Sequence, residues 1–108
     1  MYEHVTRFID DIEHGVPGAD IEIPLTHALY DPQIVDVNYF ETLETNGLGG
    51  PNGPWSADVE SLDLQTTVAL LTFVHRADHH QGGGFMGEKI DDGFVYRILL
   101  RLRELDKG

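Results

Sequence analysis

The chain has 108 residues, enough for one hydrophobic core and too few for two. Its formal net charge of −12 disfavours long-range attraction to nucleic acid or an anionic membrane, because such partners recruit an excess of Lys and Arg. It has no cysteine, which excludes disulfides, thiolate zinc sites and cysteine nucleophiles.

The charge is unevenly placed. Residues 1–75 hold 13 acidic side chains and one basic one, Arg7, whereas residues 76–108 hold six of each sign. Repulsion among so many carboxylates destabilises a compact state in dilute buffer and is screened in concentrated salt, where the Debye length falls to about 3 Å at 1 M. A high-salt setting is therefore expected, and the absence of cysteine fits a reducing, cytoplasmic one. The opening stretch is amphipathic and lacks the apolar core of a signal peptide, and no apolar run approaches the ~20 residues of a membrane span.

Residues 3–14 carry Val5, Phe8, Ile9 and Ile12 at helical spacing, with Gly15 placed as a stop. Residues 15–31 contain Pro17, Gly18 and Pro24 and read as a helix-breaking stretch, in which Ile21, Glu22 and Ile23 could form a brief extended piece. Asp31 and Pro32 suit a helix start, and Asp36 offers a second cap, so residues 32–46 read as one helix or two short ones. Phe40 and Leu43 are expected to face inward there. Residues 47–54 form a Gly/Pro-rich loop, which the following Trp55 would pin to the core.

The strongest helix follows. Asp63 should cap it, and Leu64, Val68, Leu71 and Val74 repeat on one face, widened by Ala69, Leu70, Phe73 and Ala77. Glycines 82–84 end it and turn the chain. A short helical turn over 85–90 precedes a last helix starting near Asp92 and Gly93. That helix turns Phe94, Val95, Ile98, Leu99, Leu102 and Leu105 inward, with Arg97, Arg101 and Glu104 outside. With no repeat and no multi-strand pattern, the whole chain reads as a single all-α domain, a bundle of four to five helices with a Gly/Pro-rich loop before the central one.

Reactive groups concentrate in one segment, residues 72–84. His75 and His79 are four apart on one helix face, and with His80 or Asp78 they could hold a divalent metal. Against this, the residue after the first His is Arg76 rather than Glu, and a cation beside a ligand opposes metal binding. The structural alternative puts His79 and His80 at a helix end, where positive charge is favoured, and packs His75 half-inside. Arg76 either snorkels outward, is clamped by a carboxylate, or recognises an anionic ligand beneath the 47–55 loop. The triple glycine lacks the Lys and Ser/Thr of a P-loop. Ser56 and Ser61 have no partner that marks a nucleophile. Asp91 and Asp92 read as a helix N-cap rather than a catalytic pair. No cofactor motif is present.

The run Leu70, Leu71, Thr72, Phe73, Val74, His75, Arg76, Ala77, Asp78, His79, His80, Gln81, Gly82 resembles a family of small prokaryotic proteins known only as a domain of unknown function. That family has a leucine-rich helix running into a Thr-x-x-x-Arg-x-Glu/Asp-Arg-Phe-x-x-Gly pattern, then a glycine-preceded C-terminal helix, here Asp92 and Gly93 followed by Ile98 to Leu102. Tyr30, Asp31 and Pro32, and the segment from Asp36 through Tyr39 to Leu43, are similar to its upstream segments. The likeness spans about residues 24–106 and concentrates in 70–102. It departs where His79 and His80 stand for Arg-Phe, and the stretch between Pro32 and Tyr39 is shortened. The resemblance implies a compact helical fold with Thr72, Arg76, Asp78 and Gly82 as a recurring helix-end element, structural or ligand-binding, in a haloarchaeal-like member. It implies no activity. Three roles are left: an interaction or accessory module acting as a homodimer or on a protein partner through a helix face, a metal-binding protein or small metalloenzyme at His75 and His79, or an anion-binding pocket at Arg76.

Overall fold

The computed structural model describes residues 2–30, 38–50 and 52–107. Among these every regular element is helical, in agreement with the all-α bundle read from the apolar periodicity. The expected caps at Asp31 and Asp36, and the start of the 32–46 helix, lie outside the described residues.

Helices α1 (Glu3–Thr6) and α2 (Phe8–Glu13) follow each other closely, since Arg7 keeps helical backbone angles between them. They bury Val5, Phe8 and Ile9, and Gly15 ends the pair at φ +82°.

Helix α3 (Gly18–Ala28) overturns the helix-breaking reading of residues 15–31. Pro24 sits in its interior, where it removes one backbone hydrogen bond at a cost of about 3 kcal/mol. What outweighs the proline is the spacing of Ile21, Leu25 and Leu29. These stand one turn apart, and all three are buried. Each contributes roughly 1.5–3 kcal/mol on burial. The expected Ile21–Ile23 alternation is one turn of this helix, with Ile21 inside and Ile23 in water.

Helix α4 (Tyr39–Thr45) buries Leu43 as expected but not Phe40. Phe40 is 68% exposed and lies against the ring of Tyr39 at 4.6 Å between centroids, because α4 meets the core along the Thr42 and Leu43 side only. The 3₁₀ turns Pro54–Ser56 and Val59–Ser61 lead into α5. Trp55 does pin the loop, with its indole 5.0–5.5 Å from the rings of Phe73, Phe85 and Phe94.

Helix α5 (Leu64–His80) begins at Asp63, whose Oδ1 accepts the Thr66 N–H at 2.8 Å. The Thr66 hydroxyl first, and its backbone N–H second, hold the Asp63 carboxyl below its usual pKa. Val68, Ala69, Leu70, Leu71 and Val74 are buried, while Leu64, at the open first turn, is 37% exposed. Helices α6 (Phe85–Asp91) and α7 (Phe94–Lys107) complete the bundle. Helix α7 packs on α1, α2, α5 and α6, and five of its six predicted inward residues (Phe94, Val95, Ile98, Leu99 and Leu102) are buried. Two of its arginines are already engaged. Arg97 holds both oxygens of Glu60, drawing that carboxyl down to about 2, and Arg101 donates to the Leu62 carbonyl and to Glu104.

Candidate functional site

The motif residues meet where α5 ends. Gly82 takes φ +76°, its N–H donates to the His79 carbonyl, and the Gly83 N–H donates to the Asp78 carbonyl at 3.1 Å. This is the glycine-terminated Schellman closure of a helix, and a side chain at Gly82 would be strained. Thr72 is buried, and its hydroxyl donates to the Val68 carbonyl one turn back.

Asp78 has a larger task. It is 7% exposed, and its Oδ1 accepts the Met86 N–H at 2.9 Å across the triple-glycine turn. Glu22 of α3 reaches the same end of α6, accepting from Gly84 N–H at 3.2 Å and Gly87 N–H at 2.8 Å. Two carboxylates from two other helices thus cap α6, satisfying donors that its glycine-only start cannot. The capping is returned. Asp91, in the last turn of α6, accepts the Gly18 N–H of α3 at 2.8 Å. Asp92 caps the following helix through the Phe94 N–H at 2.9 Å, so of the two adjacent aspartates only one serves the helix expected from sequence.

The remaining motif and histidine positions separate. Arg76 is exposed, and among the described residues none pairs with it. His79 and His80 are exposed, their rings 6.5 Å apart. His75 is buried, with the ring of Tyr30 standing edge-on against it at 5.4 Å. Burial first, and the neighbouring Arg76 cation second, lower its pKa, so at neutral pH it is an uncharged imidazole. Its Nδ1 is buried without a hydrogen-bond partner. Among the described residues no three His, Asp or Glu side chains are grouped to hold a metal ion.

Beside Asp78 lies a cleft of about 350 Å³ between the outer face of α3 and the 82–83 turn. Glu22, Thr26, His27, Tyr30 and Asp78 line it, and among the described residues no Lys or Arg does. Sequence reasoning missed the α3 half of this site because it broke the helix at Pro24. The recurrence of Ile21, Leu25 and Leu29 was the signal that could have found it. A second, more apolar hollow of about 250 Å³ lies between α4 and the glycine-rich loop, with Phe40, Leu48, Pro54 and Phe73 in its walls.

The model of a family of unknown function, DUF6508, matches residues 20–108, a span that contains the 72–82 segment and both halves of the cleft. No curated protein and no solved structure matches the chain.

Proposed function

We propose, for a chain that belongs to the DUF6508 family of unknown function, the role of a non-enzymatic interaction module that acts in a high-salt cytoplasm on a basic protein partner. One observation carries this reading. Thr72, Asp78 and Gly82 of the 72–82 element are engaged by backbone (Thr72 on Val68, Asp78 on Met86, Gly82 in the turn), while large apolar side chains on α3 and just past its end are offered to water. Ile23 in α3 and Tyr30 in the turn just past its end are 64% and 63% exposed, with the exposed His27 between them.

The occupant follows from charge. Helices α3 and α4 belong to the part of the chain with 13 acidic side chains and one basic one, so a second copy is repelled and a basic surface is attracted. In concentrated salt that attraction shortens to contact range, and the apolar anchors Ile23 and Tyr30 supply the affinity. The composition that favours such a partner also supports function at high ionic strength.

The test is co-purification and sedimentation velocity of the native chain in 2 M KCl, compared with an Ile23→Ser/Tyr30→Ser variant of equal thermal stability. The reading expects a defined basic partner that the variant loses. Concentration-dependent self-association lost in the variant would replace the partner with a second copy. A monomer that retains nothing, or a partner equally retained by the variant, overturns it.

A further inference from the structure

We propose that the cleft between α3 and the turn joining α5 to α6 is a binding site for an organic cation, an alkylammonium or guanidinium group. It goes beyond the interaction role and stands without it, because a free amine and the tip of a partner's Lys or Arg carry the same headgroup.

The first argument is unbalanced charge. Two carboxylates line the cleft, and no described cationic side chain is paired with either. Each carboxylate has about four acceptor positions. Glu22 uses two on Gly84 and Gly87, and Asp78 uses one on Met86, so acceptor capacity is left over at both. Asp78 is also 7% exposed, and a buried carboxylate gains most from a cation brought within contact.

The second argument is independent of the acids. Thr26, which lines the cleft, has a buried Oγ1 with no hydrogen-bond partner, and outside the lining, against the Tyr30 ring, the Nδ1 of His75 (a side chain 8% exposed) also lacks one. Leaving such an atom unsatisfied costs roughly 1–3 kcal/mol, so each calls for an explanation. An uncharged imidazole protonated at Nε2 presents Nδ1 as an acceptor, and a threonine hydroxyl accepts as readily as it donates. Carboxylates, imidazole and hydroxyl together ask for a guest rich in donors. Ammonium brings three and guanidinium five, none of which is an acceptor. An anion would meet only like charge.

The third argument is the aromatic wall. Tyr30 is held edge-on to His75 and lies 6.4 Å from the His27 ring, yet remains 63% exposed. A cation entering beside Asp78 meets that ring as a cation–π partner. A metal ion fits less well, since among the described residues no three ligands converge.

The test is titration of the full chain, followed by the amide resonances of Gly82, Gly83 and Gly84, with methylguanidinium, n-butylammonium and a capped arginine-containing peptide. Methylurea, n-butanol and KCl of equal ionic strength are the controls. Tyr30→Ala removes the exposed ring, and Glu22→Gln and Asp78→Asn remove charge while retaining a capping oxygen. We expect saturable shifts with the cations alone, weakened by about tenfold in each variant, the size of one desolvated cation–π or charge contact. Saturation by both small cations and peptide, or by the small cations alone, identifies a free amine as the guest. Saturation by the peptide alone identifies a partner's side chain. Shifts that the neutral analogues reproduce, or that persist unchanged in folded Tyr30→Ala and Asp78→Asn, overturn the site.

Discussion

Gly18 and Gly87 face each other across α3 and α6 so closely that a Cβ on Gly18 would overlap the Gly87 carbonyl oxygen and stand 2.8 Å from the Asp91 carboxylate. Neither obstacle is the free end of a flexible chain. One is backbone, and the other is fixed by its bond to the Gly18 N–H. Gly18→Ala should therefore cost about 1–3 kcal/mol by overpacking, lowering the melting temperature by about 4–8 °C per kcal/mol. The converse change is mild. A Cβ on Gly87 meets nothing nearer than 3.4 Å, inside a helix that alanine favours over glycine by about 0.5–1 kcal/mol. Urea midpoints of the two variants should move in opposite directions.

The cap from Asp78 separates size from chemistry. Asp78→Ala leaves the Met86 N–H without its acceptor, and such a loss costs about 1–3 kcal/mol. Asp78→Asn keeps an oxygen in place and should retain most of the stability. Hydrogen exchange at the Met86 amide is the direct readout: fast in the alanine variant, protected in the asparagine one. Equal exchange in both would remove Asp78 from the cap.

Legibility in the sequence followed the local signals. Asp63, Gly82 and the leucines of α5 act on their own helix, so spacing and cap chemistry sufficed to place them. Glu22 reaching Gly87 and Asp91 reaching Gly18 join residues more than sixty positions apart, and no pattern in one sequence marks such pairs. Phe40 failed for a related reason. Its hydrophobicity signals burial, but the side of α4 that meets the core is set by what packs there. Pro24 misled because an intrinsic helix penalty was weighed without the burial that offsets it. The candidate site was half visible, since its α5 side was flagged by Asp78 and Gly82 and its α3 side was not.

His75 should make stability fall on mild acidification. Burial, then Arg76, lower its folded pKa below the ordinary histidine value, so the unfolded chain binds the proton more readily. A depressed folded pKa contributes stability that is complete above about pH 6.5, the unfolded value, and is lost as pH falls through the folded value. The urea midpoint should thus decline from pH 7.5 toward pH 5.5, ahead of the carboxylates. His75→Phe keeps an aromatic ring beside Tyr30 and removes the titration. Its midpoint should vary less over that window, while an identical slope would show that another histidine is responsible.

Salt should act in the opposite sense, through the acidic two-thirds of the chain. Asp10, Asp11 and Glu13 lie exposed on α2 within residues 1–75, where a single basic side chain accompanies 13 acidic ones. In 0.1 M KCl the Debye length is about 10 Å and these charges repel one another, whereas in 2 M KCl it is below about 3 Å and they do not. The unfolding midpoint should therefore rise between those concentrations. Salting-out of apolar surface raises it too, so the carboxylates have to be isolated. Asp10→Asn/Asp11→Asn removes two like charges from an exposed face without touching the core. The double variant should be the more stable chain at 0.1 M and show the smaller gain at 2 M. Parallel salt curves for the two chains would assign the whole effect to apolar surface and leave the acidic face without a part in it.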